Sequence, residues 1–181
     1  KDLEKYYISD TYISHTNKKT GIFNLLYQAV RKYSIKRKLT LLKTKAIKGN
    51  HLDVGCGTGE FLNACKKEGF AAKGIEPSDL ARKQAIKNYN LDISSETEFK
   101  QYSSSMFESI SMWHVLEHVS NIDQTLIELN RILKKDGVLI IAVPNYKSWD
   151  AAHYKEFWAA WDVPIHLWHF SKKTIDLLFK N

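Results

Sequence analysis

The sequence predicts an α/β fold: a doubly wound, mainly parallel sheet of five strands, preceded by a helical N-terminal extension. Three observations predict it. Short apolar or β-branched runs alternate with segments of helical periodicity between residues 51 and 143. The strands read as continuous apolar runs, the pattern of a sheet covered on both faces. The first strand ends in three closely spaced glycines that lead directly into a helix.

The elements follow in order. Residues 1–20 are polar with interleaved aromatics, Tyr6, Tyr7, Tyr12 and His15 among them. From Ile22 to about Ala46 apolar residues recur at helical spacing, with Lys and Arg on the wet side, until Gly49-Asn50 breaks the pattern. His51–Val54 is the first strand. Glu60–Glu68 is a helix with Phe61, Leu62 and Cys65 inward, and Gly69 sits where a C′ glycine belongs. Ala71–Ile75 is the second strand; Ser78 caps a helix from Asp79 to about Asn88. Leu91–Ile93 and Phe107–Trp113 are strands three and four. Asn121–Leu133 is an amphipathic helix ended by Asp136-Gly137, and Val138–Val143 is strand five. The remainder, 145–181, holds four of the five tryptophans and a last helix, Lys172–Phe179, capped by Ser171. The expected division is a basic helical extension over 1–48 and an α/β domain over 49–181.

Composition narrows the class. A length of 181 residues, 44% of them apolar, fits one globular domain. No apolar run approaches the roughly 18–20 residues of a membrane span. Lys1-Asp2-Leu3-Glu4 does not read as a secretory leader, and two cysteines, Cys56 and Cys65, make no disulfide framework, so a reduced cytoplasmic setting is expected. The charge is lopsided: residues 1–50 hold 12 Lys+Arg and 3 Asp+Glu, the rest 15 and 17. That basic segment is either a solvated helix face or a docking surface for an anionic acceptor, a membrane or nucleic acid.

Asp53-Val54-Gly55-Cys56-Gly57-Thr58-Gly59 joins the first strand to the first domain helix. Glycines there permit positive φ and close approach of a ligand to the backbone, at the sheet edge where open α/β folds bind ligands. The next acid at a strand end is Glu76, 23 residues beyond Asp53, placed to accept both hydroxyls of a ribose. The spacing differs from the G-x-G-x-x-G of dinucleotide folds: Gly59 comes one residue early, and acidic Glu60 at the helix start disfavours a diphosphate. A nicotinamide enzyme is therefore disfavoured. A ligand with a ribose, an ammonium group and no phosphate fits better.

With these residues, Asp53–Phe61 resembles motif I of the class I S-adenosylmethionine-dependent methyltransferases. Gly74–Ser78 resembles their second motif, Trp113–Val119 the segment after strand four, and Leu129–Pro144 the last helix and strand of the donor-binding half. Asp162–Ser171 is similar to the ubiquinone-biosynthesis subgroup. The likeness covers about residues 50–175. It implies a Rossmann-like fold, a small-molecule acceptor and methyl transfer by in-line displacement, O-methylation favoured, with S-adenosylmethionine as donor and S-adenosylhomocysteine as product. By resemblance, Gly55, Cys56, Gly57 and Gly59 pass under the methionine part of the donor. Asp53 organises the loop and its ammonium contacts. Glu76 holds the ribose, Pro77 lies by the adenine, and Trp113 and His114 flank the donor. Glu96, Thr97 and Glu98 are the candidates for the adenine amine, with Glu98 chosen. The family often has Phe-Asp before strand four; here it is Phe107-Glu108, and that acid is read as structural. The family's sheet normally carries a sixth and a seventh strand. Their absence leads to the expectation of a truncated chain with an open sheet edge, and of a possible homodimer.

His114-Val115-Leu116-Glu117-His118 also matches H-x-x-E-H, a zinc-peptidase signature. That chemistry needs the motif within a helix, whereas here a strand runs into it, so no metal is expected. Glu117 and His118 either brace the following turn or border the acceptor cavity. An acceptor hydroxyl requires a general base; His118, His166, His169 and Tyr154 are the candidates. The tryptophans of 149–168 either line an acceptor pocket or fill core. Tyr7, Tyr12 and His15 are expected to cover the donor. The competing function is a donor-binding module docking through its basic helices on RNA, a membrane or a partner protein; RNA is disfavoured because no base-stacking motif appears.

Overall fold

The computed structural model describes residues 22–180. The basic segment forms one helix, α1 (Ile22–Lys45). Then come β1 (Asn50–Val54), α2 (Glu60–Lys67), β2 (Ala71–Ile75), α3 (Asp79–Tyr89), β3 (Asp92–Ser94), β4 (Phe107–Trp113), α4 (Ile122–Ile132), β5 (Leu133–Ala142), α5 (Trp149–Tyr154) and α6 (Lys172–Leu178), with short 3-10 turns between. The five strands are ordered β3-β2-β1-β4-β5 and every neighbouring pair is parallel. Among the described residues no strand pairs with the outer edge of β5.

Register decides where the site lies. Val54 pairs with Ile75 on one side and Met112 on the other, so β1, β2 and β4 finish level. The glycine loop, Glu76 and His114 therefore emerge at one edge, on either side of the point where strand order reverses. Pleating sends Leu52, Ile110 and Met112 to one face, against Leu129, Ile132 and Phe170. The opposite face is covered by α1 and α2 through Leu42, Phe61 and Cys65, packed with Phe70 and Ile140. Leu42 is fully buried, so α1 is part of the core and not a detached arm.

Local chemistry explains most boundaries. Gly69, at φ 88°, follows the last residues of α2, and Asn90, at φ 50°, closes α3. Ser78, Asn121, Ser148 and Ser171 each accept a backbone N–H from the first turn of the helix they precede. Two expectations need correction. Asp136-Gly137 does not end α4. The helix stops at Ile132, and Leu133 already pairs with Phe107. The register then jumps so that Val138 faces Ser109, leaving Lys134–Gly137 as a bulge beside Glu108. Glu108 explains the bulge: it pairs with Lys134 and accepts the Asn50 N–H at 2.5 Å, which bears out its structural reading. The second is the tail, where a further short helix, α5, precedes the expected last one.

Candidate active site

Every glycine of the loop has positive φ, at 71°, 55° and 82° for Gly55, Gly57 and Gly59. Their surroundings differ. A Cβ on Gly55 would lie 2.4 Å from Val115, and one on Gly59 2.6 Å from Leu91 and 2.9 Å from Ala85. A Cβ on Gly57 would meet nothing within 4 Å. Gly55 and Gly59 are needed for packing, whereas Gly57 faces open space at the sheet edge. Glu76 borders that space. Its Oε2 accepts the Gly57 N–H at 2.8 Å and its Oε1 the Ser78 N–H at 2.9 Å. Each oxygen keeps a lone pair for a further donor such as a ribose hydroxyl. The loop is tied down by the Gly55 and Cys56 N–H groups, which both donate to the Ile75 carbonyl at 2.7 and 3.0 Å.

The other expected donor residues fall into two groups. Asp53 and Cys56 are buried. The Asp53 carboxylate accepts the Ser111 hydroxyl at 2.6 Å, and burial raises its pKa to about 7. Burial likewise pushes the Cys56 thiol far up, leaving it unreactive. Pro77 is exposed beside Glu76. Glu98 turns back onto Ser95 as a capping box, and Thr97 also bonds Ser95, at 2.7 Å. Trp113 points away from the sheet edge into the α1–α2 side, edge-on to Phe61 at 5.5 Å with the Lys38 ammonium 4.7 Å over its ring. His114 is exposed at the strand end with φ 60°.

Sequence reasoning did not use Arg31. It crosses from α1 to pair with Glu60 and donates to the Thr58 hydroxyl at 3.4 Å. The basic helix thereby fastens the mouth of the glycine loop. Lys43 is paired with Glu68 at 2.5 Å, so Arg31, Lys38 and Lys43 all turn inward or along the domain. The docking alternative gains no support from them. The Tyr7, Tyr12 and His15 cover lies outside the described residues.

A second constellation forms beyond β4. The H-x-x-E-H segment is not helical. His114 ends the strand, Val115 packs on Gly55, and only Leu116–His118 forms a 3-10 turn. The tail docks on this turn: the Leu167 and Trp168 N–H groups donate to the Glu117 carbonyl at 2.8 and 3.2 Å, and the Trp168 indole N–H to the Val119 carbonyl at 2.7 Å. That docking stacks His166 edge-on to His118, with ring centroids 4.6 Å apart. Glu117, His118 and His166 each bring a donor-type atom within 4.8 Å of the others. His114 is not in that group. Nδ1 of His118 sits 3.3 Å from the Ile165 carbonyl and Nδ1 of His166 2.8 Å from the Ala160 carbonyl. With Nδ1–H donating, Nε2 is the proton-free nitrogen of each neutral ring, and that of His166 lies 3.9 Å from the Asp162 carboxylate. Burial first, and then His166, lower the His118 pKa, favouring the neutral ring. His169 is held apart, its Nε2 3.0 Å from the Trp161 carbonyl. Tyr154 is exposed, with its ring against His153.

Residues 27–181 match the family described as "Methyltransferase domain". The chain belongs to that family. The methyltransferase domain is 29% identical over 156 residues to the ubiquinone biosynthesis O-methyltransferase of Rickettsia canadensis, covering 80% of this chain and 63% of that enzyme. Across eight curated relatives it spans 36–63% of their length. Its fold is similar to a SAM-dependent methyltransferase from Thermotoga maritima described as a possible histamine N-methyltransferase. That match has a TM-score of 0.65 and 22% identity, and covers 87% of this chain and 74% of the other. An Archaeoglobus fulgidus SAM-dependent methyltransferase matches at TM-score 0.66 and 20% identity, over 87% and 72%. The Rossmann-like fold and the family assignment are thus as the motifs implied. No helix among the described residues is long and apolar enough to cross a membrane.

Proposed function

We propose that the chain transfers a methyl group from S-adenosylmethionine to an oxygen of a small-molecule acceptor. The observation that carries this reading is the open space at Gly57, walled by the Glu76 carboxylate, with Val115, which leads directly into the turn bearing Glu117 and His118, packed on Gly55. The donor fits the residues present: Glu76 receives the ribose hydroxyls, and the cradle at Gly57, which a Cβ would narrow, receives the methionine moiety. When bound, the donor supplies a sulfonium methyl that is electrophilic without further activation. The chain's own task is alignment in line with the S–CH3 bond and exclusion of water. The acceptor oxygen bonds to the methyl carbon as the S–C bond breaks. The sulfur keeps that electron pair, and the acceptor's proton passes to an imidazole Nε2 of the His118–His166 pair. A hydroxyl acceptor needs such a base, while a neutral amine does not, so a built imidazole pair favours oxygen.

The test is a survey of acceptors, comparing phenols and catechols with matched amines, read as S-adenosylhomocysteine release. Turnover of hydroxyl acceptors that falls as pH drops through the imidazole range is expected. Turnover of amines alone would reject the choice of oxygen.

A further inference from the structure

The amphipathic pattern of α1 changes sides half-way along the helix. From Ile35 onward it is that of a surface helix: Ile35, Leu39 and Leu42 pack on the domain, and Lys36, Arg37 and Thr40 are exposed. Before Ile35 it is reversed. Asn24, Gln28 and Arg31, on the same face as Leu42, are polar and half-buried. Leu26, Ala29, Val30 and Tyr33, spaced i, i+3, i+4 and i+7, form one outward stripe with Leu25 at its flank. Leu25, Leu26, Val30 and Tyr33 are 73%, 63%, 59% and 63% exposed. A helix face that needs only water takes charged residues, as the second half of α1 does. A contiguous apolar stripe rimmed by polar groups marks a surface that something covers.

The rim decides the kind of partner. α1 contains no Asp or Glu. Arg31, Lys38 and Lys43 are engaged on the domain, but Lys32 and Lys36 are exposed along the Leu25 flank and Arg37 at the end of the stripe. Among the described residues Lys32 and Lys36 meet no acid, and the Arg37 guanidinium lies 5.9 Å from the centroid of the Tyr33 ring. A second copy of the helix would offer these cations no acid. A nucleic acid would neutralise them and leave the leucines and valine uncovered. An anionic bilayer surface satisfies both sets: apolar side chains enter the acyl boundary, a tyrosine sits at the interface and the cations reach the headgroups.

We propose that this stripe, with Lys32, Lys36 and Arg37, seats α1 flat on an anionic lipid surface. From Leu26 to Tyr33 the stripe runs roughly 11 Å, so the helix lies in the interface and does not span it. The proposal does not depend on which acceptor the chain methylates.

The experiment is co-sedimentation of the full chain with vesicles of phosphatidylcholine alone and of phosphatidylcholine with about 30% phosphatidylglycerol. Wild type, Leu26→Ser/Val30→Ser and Lys36→Glu/Arg37→Glu are compared, with thermal melts and S-adenosylhomocysteine calorimetry as controls. Wild type is expected to sediment with the anionic vesicles, to be released by high salt, and to ignore phosphatidylcholine alone. Each double variant is expected to bind the anionic vesicles about tenfold or more weakly, with unchanged melting temperature and donor-product affinity. Wild type that ignores anionic vesicles, or variants that bind them as wild type does, would overturn the proposal. So would a lower melting temperature of Leu26→Ser/Val30→Ser without vesicles, which would show the stripe covered by the chain itself, or a wild-type dimer in sedimentation velocity that this variant dissolves, which would give the stripe to a second copy.

Discussion

The two halves of the proposed site are built over different distances in the chain. The donor half is held by residues close in sequence: Gly57 and Glu76, 19 positions apart, are joined by one bond across adjacent strand ends. The acceptor half depends on a tail that returns from 47 positions away to set Ile165 against His118. One half needs only a turn, a strand and a carboxylate; the other needs the Glu117 carbonyl to capture Leu167 and Trp168. A donor seat can therefore survive changes that dismantle the acceptor side, and the two are separable by mutation.

The largest expected effect breaks the acceptor half alone. His166→Ala should lower kcat by about 10²–10⁴-fold, the usual weight of a general base, and leave S-adenosylhomocysteine affinity unchanged in calorimetry. If the His118–His166 pair acts as the proposed base, activity should be indifferent to a chelator; chelator-sensitive turnover would reassign Glu117, His118 and His166 to a cation. Next, Glu76→Ala should weaken donor-product binding by about 100-fold, since two charge-assisted bonds of roughly 1.5 kcal/mol each disappear. The glycines sharpen the contrast within the donor half. Urea melts should show Gly59→Ala destabilised by about 2–4 kcal/mol, combining a left-handed φ with an overpacked neighbour. Gly57→Ala, with open space around it, should cost only about 1 kcal/mol of stability but still weaken donor binding. The smallest effect belongs to Arg31→Ala. Loosening the pair with Glu60 should reduce affinity by no more than about fivefold, in keeping with a partly exposed ion pair.

The same contrast explains what could be read in advance. β1, α2, β2 and the loop between them were legible because glycine φ, helix caps and apolar runs act within a few residues. Asp136-Gly137 misled because a turn signal looks alike at a helix end and in a strand bulge; the pairing of Leu133 with Phe107, a tertiary contact, decided between them. The meeting of His166 with His118 was not legible, since nothing local marks which turn a tail will cap. The resemblance puts Trp113, the last residue of β4, beside the donor, but strand alternation sends it with Ser109 and Ser111 to the α1 side. That alternation was available: His51-x-Asp53 and Ser109-x-Ser111 put polar side chains at period two, interleaved with apolar Leu52, Val54, Ile110 and Met112, the signature of a buried polar row.

The central claim is that Gly57 and Glu76 wall a seat for a sulfur nucleoside. A crystal structure of the chain grown with S-adenosylhomocysteine tests it most directly. The nucleoside is predicted to lie with its ribose hydroxyls on Glu76 and its amino-acid arm across Gly57. A nucleoside bound elsewhere, or a Gly57 cradle that stays closed to it at saturating concentration, would contradict the account.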